Sequence, residues 1–531
     1  MKTDPTQTID LAVVGGGING AGLAFLAARA GLSVALLDKG DWASGTSSRS
    51  TKLIHGGIRY LEQGRLGLVR ESLSERRSLL SDAPHLVRPL PFLLPVYRGD
   101  SRPPWMLKTG LWLYDLLAGR HNLSRHQWLP PAEALAHAPS LKAEGLLGCG
   151  VYWDAQVNDA RLVGENVRAA REQGAFCQSR AEVTGVERKD GRFQLEIRGQ
   201  AGSPGLIRAR MAADATGPWA NLTSRLWPGT HARKVRPTRG SHLVLPFPLS
   251  DMAVLVMSPR EKRILFAIPF RGGTLLGTTD VDDNGDPGQV RCTREETRYL
   301  LEHAQRLFPS RVSLSSPVAA AFAGLRPLAF ADDAHASSVS REDRITMSNG
   351  VISILGGKLT TYRSMARKAL ALVFREMDRS GSPPPHTRLP GAPLESWDDF
   401  LKRALREWPA AYGVTEETAR HLACLYGGRA LSVLEPLKRD EGLRAPLVPG
   451  RPEIAAQVLY AAHREDAASL SDVLLRRLEI GLTDRGAQAA EPASRLLASS
   501  LGWSEEKRLE EVASYLAQRT APESIQETST P

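Results

Sequence analysis

The stretch KLIHGGIRYLEQG, residues Lys52 to Gly64, sets His55, Gly56, Gly57, Arg59 and Tyr60 side by side. A loop that only connects two elements has no need of such polar density, so this one is expected to hold a ligand. Histidine exchanges protons near neutral pH, and arginine's planar fork grips oxyanions in pairs of hydrogen bonds. A second chemical signal lies upstream, where Gly15-x-Gly17-x-x-Gly20 falls between an apolar run and a helical stretch. The first glycine permits a tight turn, the second lets a pyrophosphate approach the backbone, and the third allows close helix–strand packing. The helix start then offers free N–H groups to the phosphates. Asp38, at the end of the next apolar run, is placed to accept hydrogen bonds from a ribose diol.

These residues need elements to carry them. Ile9 to Val14 reads as a buried parallel strand, Ala21 to Ala30 as a helix, and Ser33 to Leu37 as a second strand. From about Ala181 the pattern turns to short strands, with a DG turn inside AEVTGVERKDGRFQLEIRG. MAADATGPWAN runs from a strand into a glycine turn, and a further strand-rich region spans roughly Ser241 to Thr279. Val351 to Leu355 is an apolar strand that meets Gly356-Gly357, and Leu359 to Met377 reads as a helix. Ser380 to Pro393 is rich in Pro, Gly and Ser and reads as a linker; residues 394–518 are mostly helical, with a polar tail from 519 to 531.

Nucleotide signals so far apart in the chain (Gly15, then Thr216 and Gly217, then Gly356 and Gly357) suit an extended FAD better than NAD. Reduced flavin gathers negative charge near N1 and O2. A helix beginning just after Gly357 could aim its N-terminus there, with the Thr360 hydroxyl as a further donor. The expected fold class is α/β. A Rossmann-type FAD-binding domain (about 9–60, 181–220 and 350–378) interleaves with a mixed-sheet substrate domain (about 80–160 and 235–345). Together these fill residues 1–380, with the linker at 381–393 and an α-helical C-terminal domain at 394–518.

The chain has 531 residues, and its charge balance is 68 − 58 = +10. That surplus fits anionic substrates, anionic lipid or nucleic acid, but no run of like charge is long enough for a nucleic-acid arm. Four cysteines lie far apart without a CxxC pair, which argues against zinc or a disulfide framework and suits a reducing cytosol. No apolar signal core opens the chain, and no run of 18 apolar residues crosses a bilayer. Residues 97–128 interleave Trp105, Trp112 and Tyr114 with Leu111, Leu113, Leu116 and Leu117 between basic flanks. This is the composition of a helix at a membrane interface, or of a core helix with basic caps.

Seven segments in order carry a family resemblance: GTSSRSTKLIHGGIRYLEQG, NDARLV, ATGPW, RGSHLVLP, GTTDVD, GLRPL and GGKLTTYR. From about Ile9 to Arg375 the chain resembles the FAD-dependent glycerol-3-phosphate dehydrogenases, and the helical end is similar to that family's cap domain. The resemblance implies FAD held by Gly15, Gly17, Gly20, Asp38, Thr46, Ser47, Ser48, Val183, Thr216, Gly217, Gly356, Gly357 and Thr360. It implies a substrate-phosphate clamp of Arg59, Tyr60, Arg326, Arg341 and Lys358, with Arg326 and Lys358 also close to the chemistry. His55 and His242 are the two candidate bases, and either could instead fix the flavin or a turn.

Quinone-linked members are monotopic membrane proteins. Related oxidases that use oxygen often carry an insertion before GLRPL that this chain has no room for. The resemblance therefore implies sn-glycerol 3-phosphate as substrate and ubiquinone or menaquinone as acceptor, at an anionic membrane surface on the cytoplasmic face. A homodimer is possible, and no nucleic acid is expected. An oxygen-using oxidase, an amine oxidase and a non-catalytic flavoprotein remain the competing readings.

Overall fold

The computed structural model describes residues 2–199, 202–227, 235–257, 264–329 and 344–519. Thr8–Val14 forms the strand its composition predicts, with Leu11 to Val14 buried on both faces as in a parallel sheet. It lies between Pro204–Asp214 and Val34–Leu37, parallel to both. Phe176–Gln178 extends one side of this eight-stranded sheet and Val351–Leu355 the other. The hairpin Glu182–Lys189 and Arg192–Arg198 turns at Asp190 and Gly191, both at positive φ, as the DG pair requires. Helices Ile18–Arg29, Asp159–Glu172 and Tyr362–Glu376 cover one face and close its core.

A second, ten-stranded mixed sheet holds Val235–Leu245, Ala253–Met257, Ile264–Phe270, Gly273–Gly277 and Ala320–Ala329. The chain strands Val87–Tyr97 and Leu146–Val157 join it, the former parallel to Ala253–Met257. Beyond residue 390 the chain is helical. Ser396 and Thr415 cap their helices through side-chain oxygens, and Gly413 and Gly502 end theirs in the left-handed region.

Three readings change. The helix after Gly357 begins at Tyr362, because Leu359–Thr361 forms a tighter turn first. The Ser380–Pro393 stretch is strapped down: Leu389 is in the core, its N–H reaches the Asp82 carbonyl, and the Gly391 N–H reaches Glu165. In the helix Pro104–Ala118 the apolar residues divide. Leu111 and Tyr114 face inward, whereas Trp105, Trp112 and Leu116 stand 69%, 58% and 60% exposed.

Buried charge ties the helical domain to the rest. Arg161 pairs with Glu465 at 2.7 Å, Arg477 with Asp41 at 2.6 Å and Lys52 with Glu479 at 2.7 Å. Asp154 joins another set: its carboxylate meets Arg76 at 2.6 Å, the Tyr114 hydroxyl at 2.8 Å and the Gly56 N–H at 3.1 Å. One carboxylate thus fixes the Trp-bearing helix and the HGG loop together.

Two buried histidines give the fold an acid limit. Burial, outweighing nearby Glu165, pushes the His85 imidazole down to about 4, and burial with the Arg326 and Lys52 charges pushes His242 down to about 3. Both stay neutral when folded, while the unfolded chain takes up a proton at about 6.5. Stability is therefore complete above that pH and falls as pH drops, by about 1.4 kcal/mol per unit for each residue. The urea midpoint at pH 5.0 should lie clearly below that at pH 7.5. Equal midpoints would mean the imidazoles are not held neutral.

Candidate active site

The nucleotide loop meets the mixed sheet along a cleft of about 780 Å³. At one end the Gly15 turn, at φ +111°, lies so close to Ala215 that a Cβ would fall 2.4 Å from its carbonyl oxygen. Gly20 packs onto the Gly15 carbonyl, where a Cβ would stand at 1.9 Å; it shapes the turn without lining the cleft. The Ser47 hydroxyl accepts the Ile18 N–H at 3.0 Å at the helix start, and Thr46 ties its loop to the Leu325 carbonyl at 2.5 Å. Asp38 takes the N–H groups of Gly16 and Gly40, and burial pushes its carboxyl up against those bonds. The Thr216 N–H and hydroxyl are fixed by Asp214, and Val183, Gly217, Gly356 and Gly357 complete the wall.

The same cleft also carries the charged and titratable groups. His55, His242, Arg326, Lys358 and Thr360 line it together, although they come from four separate parts of the chain. Arg326 donates to the Thr278 hydroxyl at 2.7 Å, Asp280 at 3.0 Å and the Thr279 carbonyl at 3.2 Å. Gly240 makes room for it: a Cβ there would lie 2.2 Å from Nη2. Gly240→Ala should therefore raise the KM for a phosphate substrate by about tenfold without releasing the cofactor. An unchanged KM would mean that Arg326 does not touch substrate. The Lys358 ammonium sits 3.6 Å from the centre of the Tyr60 ring, a cation–π contact that orients it.

Several expectations shift. Tyr60 reaches the site only through Lys358, and Arg59 and Ser48 are absent from the cleft wall. Arg341 lies outside the described residues. The Thr360 hydroxyl accepts the His55 N–H at 3.1 Å, so it braces the HGG loop. Two participants went unread: Thr51, bonded to His242 at 2.9 Å, and Lys52, buried between Asp159 and Glu479. Both sit in the quoted GTSSRSTKLIHGG run. Their partners are distant in sequence, so spacing could not name them.

A parallel nucleotide-binding sheet, a mixed sheet beside it and a shared cleft of this size and lining define an FAD-dependent oxidoreductase. Comparison with known proteins agrees: residues 10–363 match the FAD dependent oxidoreductase family, and residues 385–508 match the C-terminal domain of alpha-glycerophosphate oxidase. Glycerol-3-phosphate dehydrogenase of Synechocystis sp. is 35% identical, with 97% of each chain covered. The Pseudomonas aeruginosa protein of that name is 37% identical, covering 90% of this chain and 92% of its own. Among solved structures, the glycerol-3-phosphate dehydrogenase from Bacillus halodurans complexed with FAD superposes with a TM-score of 0.80 at 29% identity. That match covers 97% of this chain and 95% of the other. The chain belongs to the FAD-dependent glycerol-3-phosphate dehydrogenase family, and its cofactor is FAD.

Proposed function

We propose that the protein oxidises sn-glycerol 3-phosphate to dihydroxyacetone phosphate and passes the electrons to a membrane quinone, ubiquinone or menaquinone. The observation that carries the reading is that Arg326, Lys358 and His242 line the same cleft as the Gly15 turn. Residues 1–380 act as the interleaved cofactor and substrate domains, and 394–518 as a helical cap. Bound FAD supplies a two-electron hydride acceptor; Gly15, Gly17, Asp38, Ser47, Thr216 and Gly356 would hold it.

The chain's own part is to bind, orient and deprotonate. Lys358 and Arg326, both on the cleft wall, supply cationic donors for a phosphate dianion, and the family resemblance would add Arg59 and Arg341. Arg326 also faces the oxygen on which negative charge grows. His55 and His242 are the imidazoles on the cleft wall available to the hydroxyl proton.

The exposed Trp105, Trp112 and Leu116, with Lys108 and Arg120 nearby, supply aromatic and basic groups suited to an anionic membrane surface on the cytoplasmic face. No helix among the described residues is long and apolar enough to cross a membrane. A homodimer is compatible with this arrangement.

The test is anaerobic mixing of the FAD-loaded protein with sn-glycerol 3-phosphate while flavin absorbance is followed. Prompt bleaching, reversed by added quinone and only slowly by air, supports the dehydrogenase. Fast reoxidation by air with hydrogen peroxide replaces it with the oxidase, and no bleaching removes the substrate.

A further inference from the structure

His242 is deeply enclosed in the cleft wall. It is 1% exposed, its ring is stacked on Phe322 with centroids 5.0 Å apart, and its Cδ2 edge abuts Gly277, where a Cβ would fall 2.2 Å away. Nδ1 is buried and meets no hydrogen-bond partner among the described residues. Nε2 is bonded to the Thr51 hydroxyl at 2.9 Å. Thr51 is only partly buried and lines the same cleft. Of the bonded pair, Thr51 is the more exposed to the cleft.

The backbone supports that placement. Lys52, the next residue, adopts φ +56°, a conformation costly for a side chain with a Cβ. It is held there by its buried pairs with Asp159 at 2.6 Å and Glu479 at 2.7 Å. The kink sends Lys52 into the interior while its neighbour Thr51 lines the cleft. Strain kept at such a point is what a positioned functional group requires.

We propose that Thr51 and His242 form a proton relay in which the Thr51 hydroxyl is the group that meets the substrate's secondary alcohol. The step balances as follows. The alcohol proton moves to Thr51 Oγ1 as the Thr51 proton moves to His242 Nε2. The carbinol C–H bond breaks, and its hydride, carrying two electrons, passes to bound FAD. The carbon–oxygen bond becomes a carbonyl; the alcohol is oxidised and FAD reduced. Burial and the Arg326 and Lys52 charges keep the imidazole neutral before the reaction; the same surroundings oppose the imidazolium, so the proton reaches Nε2 only as the hydride leaves. Thr51 is then a catalytic residue and His242 the base behind it. His55, whose backbone N–H is tied to Thr360, serves the loop. This inference rests on the proposed alcohol oxidation.

The test compares wild type, Thr51→Val, Thr51→Ser and the double variant Thr51→Val/His242→Asn, each loaded with FAD and confirmed by its flavin spectrum. Anaerobic bleaching by sn-glycerol 3-phosphate is timed from pH 6 to 9. Thr51→Val, which keeps the shape and removes the hydroxyl, should slow bleaching by about 10²-fold. It should leave the substrate concentration for half-maximal rate nearly unchanged and make the rate climb with pH as hydroxide replaces the relay. Thr51→Ser should recover to within about tenfold of wild type, and the double variant should be no slower than Thr51→Val, since the pair acts as a unit. Wild type and Thr51→Val bleaching alike would overturn the relay alone. A double variant bleaching about tenfold or more slower than Thr51→Val would do the same. Wild type that does not bleach overturns the alcohol oxidation and the relay with it.

Discussion

Replacing Arg326 by lysine is expected to lower kcat/KM for sn-glycerol 3-phosphate by on the order of 10²–10³-fold while FAD stays bound. The guanidinium is fixed by three acceptors at once, the Thr278 hydroxyl, Asp280 and the Thr279 carbonyl, within 3.2 Å. A lysine ammonium is a single point with three donors and cannot span that fork while also meeting a substrate oxygen. The Asp280 carboxylate 3.0 Å away would capture it, so the cation would survive and its aim would not. None of the nucleotide-loop contacts involves Arg326, which is why cofactor retention should be untouched. Steady-state kinetics and anaerobic bleaching rates measure the effect. A loss under about tenfold would place Arg326 away from the oxygen that gains charge.

The largest loss of stability is expected from Lys52→Met, about 3–5 kcal/mol. Lys52 is 1% exposed between two carboxylates, Asp159 and Glu479, which are themselves buried. Burial alone would pull its ammonium down, but the two acids outweigh it and hold it above the usual lysine range. A cation raised in this way contributes fully below its unfolded value of about 10.5 and loses that contribution only in strong alkali. The effect is therefore complete at neutral pH. Methionine fills similar volume yet leaves two buried negative charges facing each other. Because Glu479 belongs to the helical domain, that domain should loosen from the HGG loop. Urea unfolding followed by tryptophan fluorescence reads the loss, with Lys52→Arg as the variant that keeps the charge. A midpoint shift of less than about 1 kcal/mol would show that the charges were already screened by water.

Local signals were legible where the chemistry is local. Gly15-x-Gly17-x-x-Gly20 needs only its own turn, and the DG pair dictates a tight hairpin whatever surrounds it. His55, His242, Arg326 and Lys358 were also nameable, since their motifs mark them, and they share one cleft wall. Arg59 does not line the cleft, the chain there turning into the short helix Arg59–Glu62. Tyr114 looked like an interfacial aromatic, yet its hydroxyl finds Asp154, forty positions on, and that bond turns it inward. Lys52 went unread because its partners Asp159 and Glu479 lie far along the chain. The Pro- and Gly-rich stretch before residue 393 reads as a free linker because nothing in it shows that Glu165 and Asp82 will hold it. What stayed hidden was in each case a contact between residues far apart in the chain.

The order of strands in the nucleotide sheet governs how this chain can be made. Pro204–Asp214 pairs on one side with Thr8–Val14, which leaves the ribosome early, and on the other with Val351–Leu355, which leaves it late. Throughout the synthesis of the mixed sheet between them, the nascent chain carries an open apolar strand edge that no local segment can cover. Fragments ending before residue 351 should therefore gather in inclusion bodies rather than accumulate as a small flavin-binding unit. On the proposed reading, in which Gly356 and Gly357 help hold FAD, cofactor capture would wait for them to emerge and be a late event in biosynthesis.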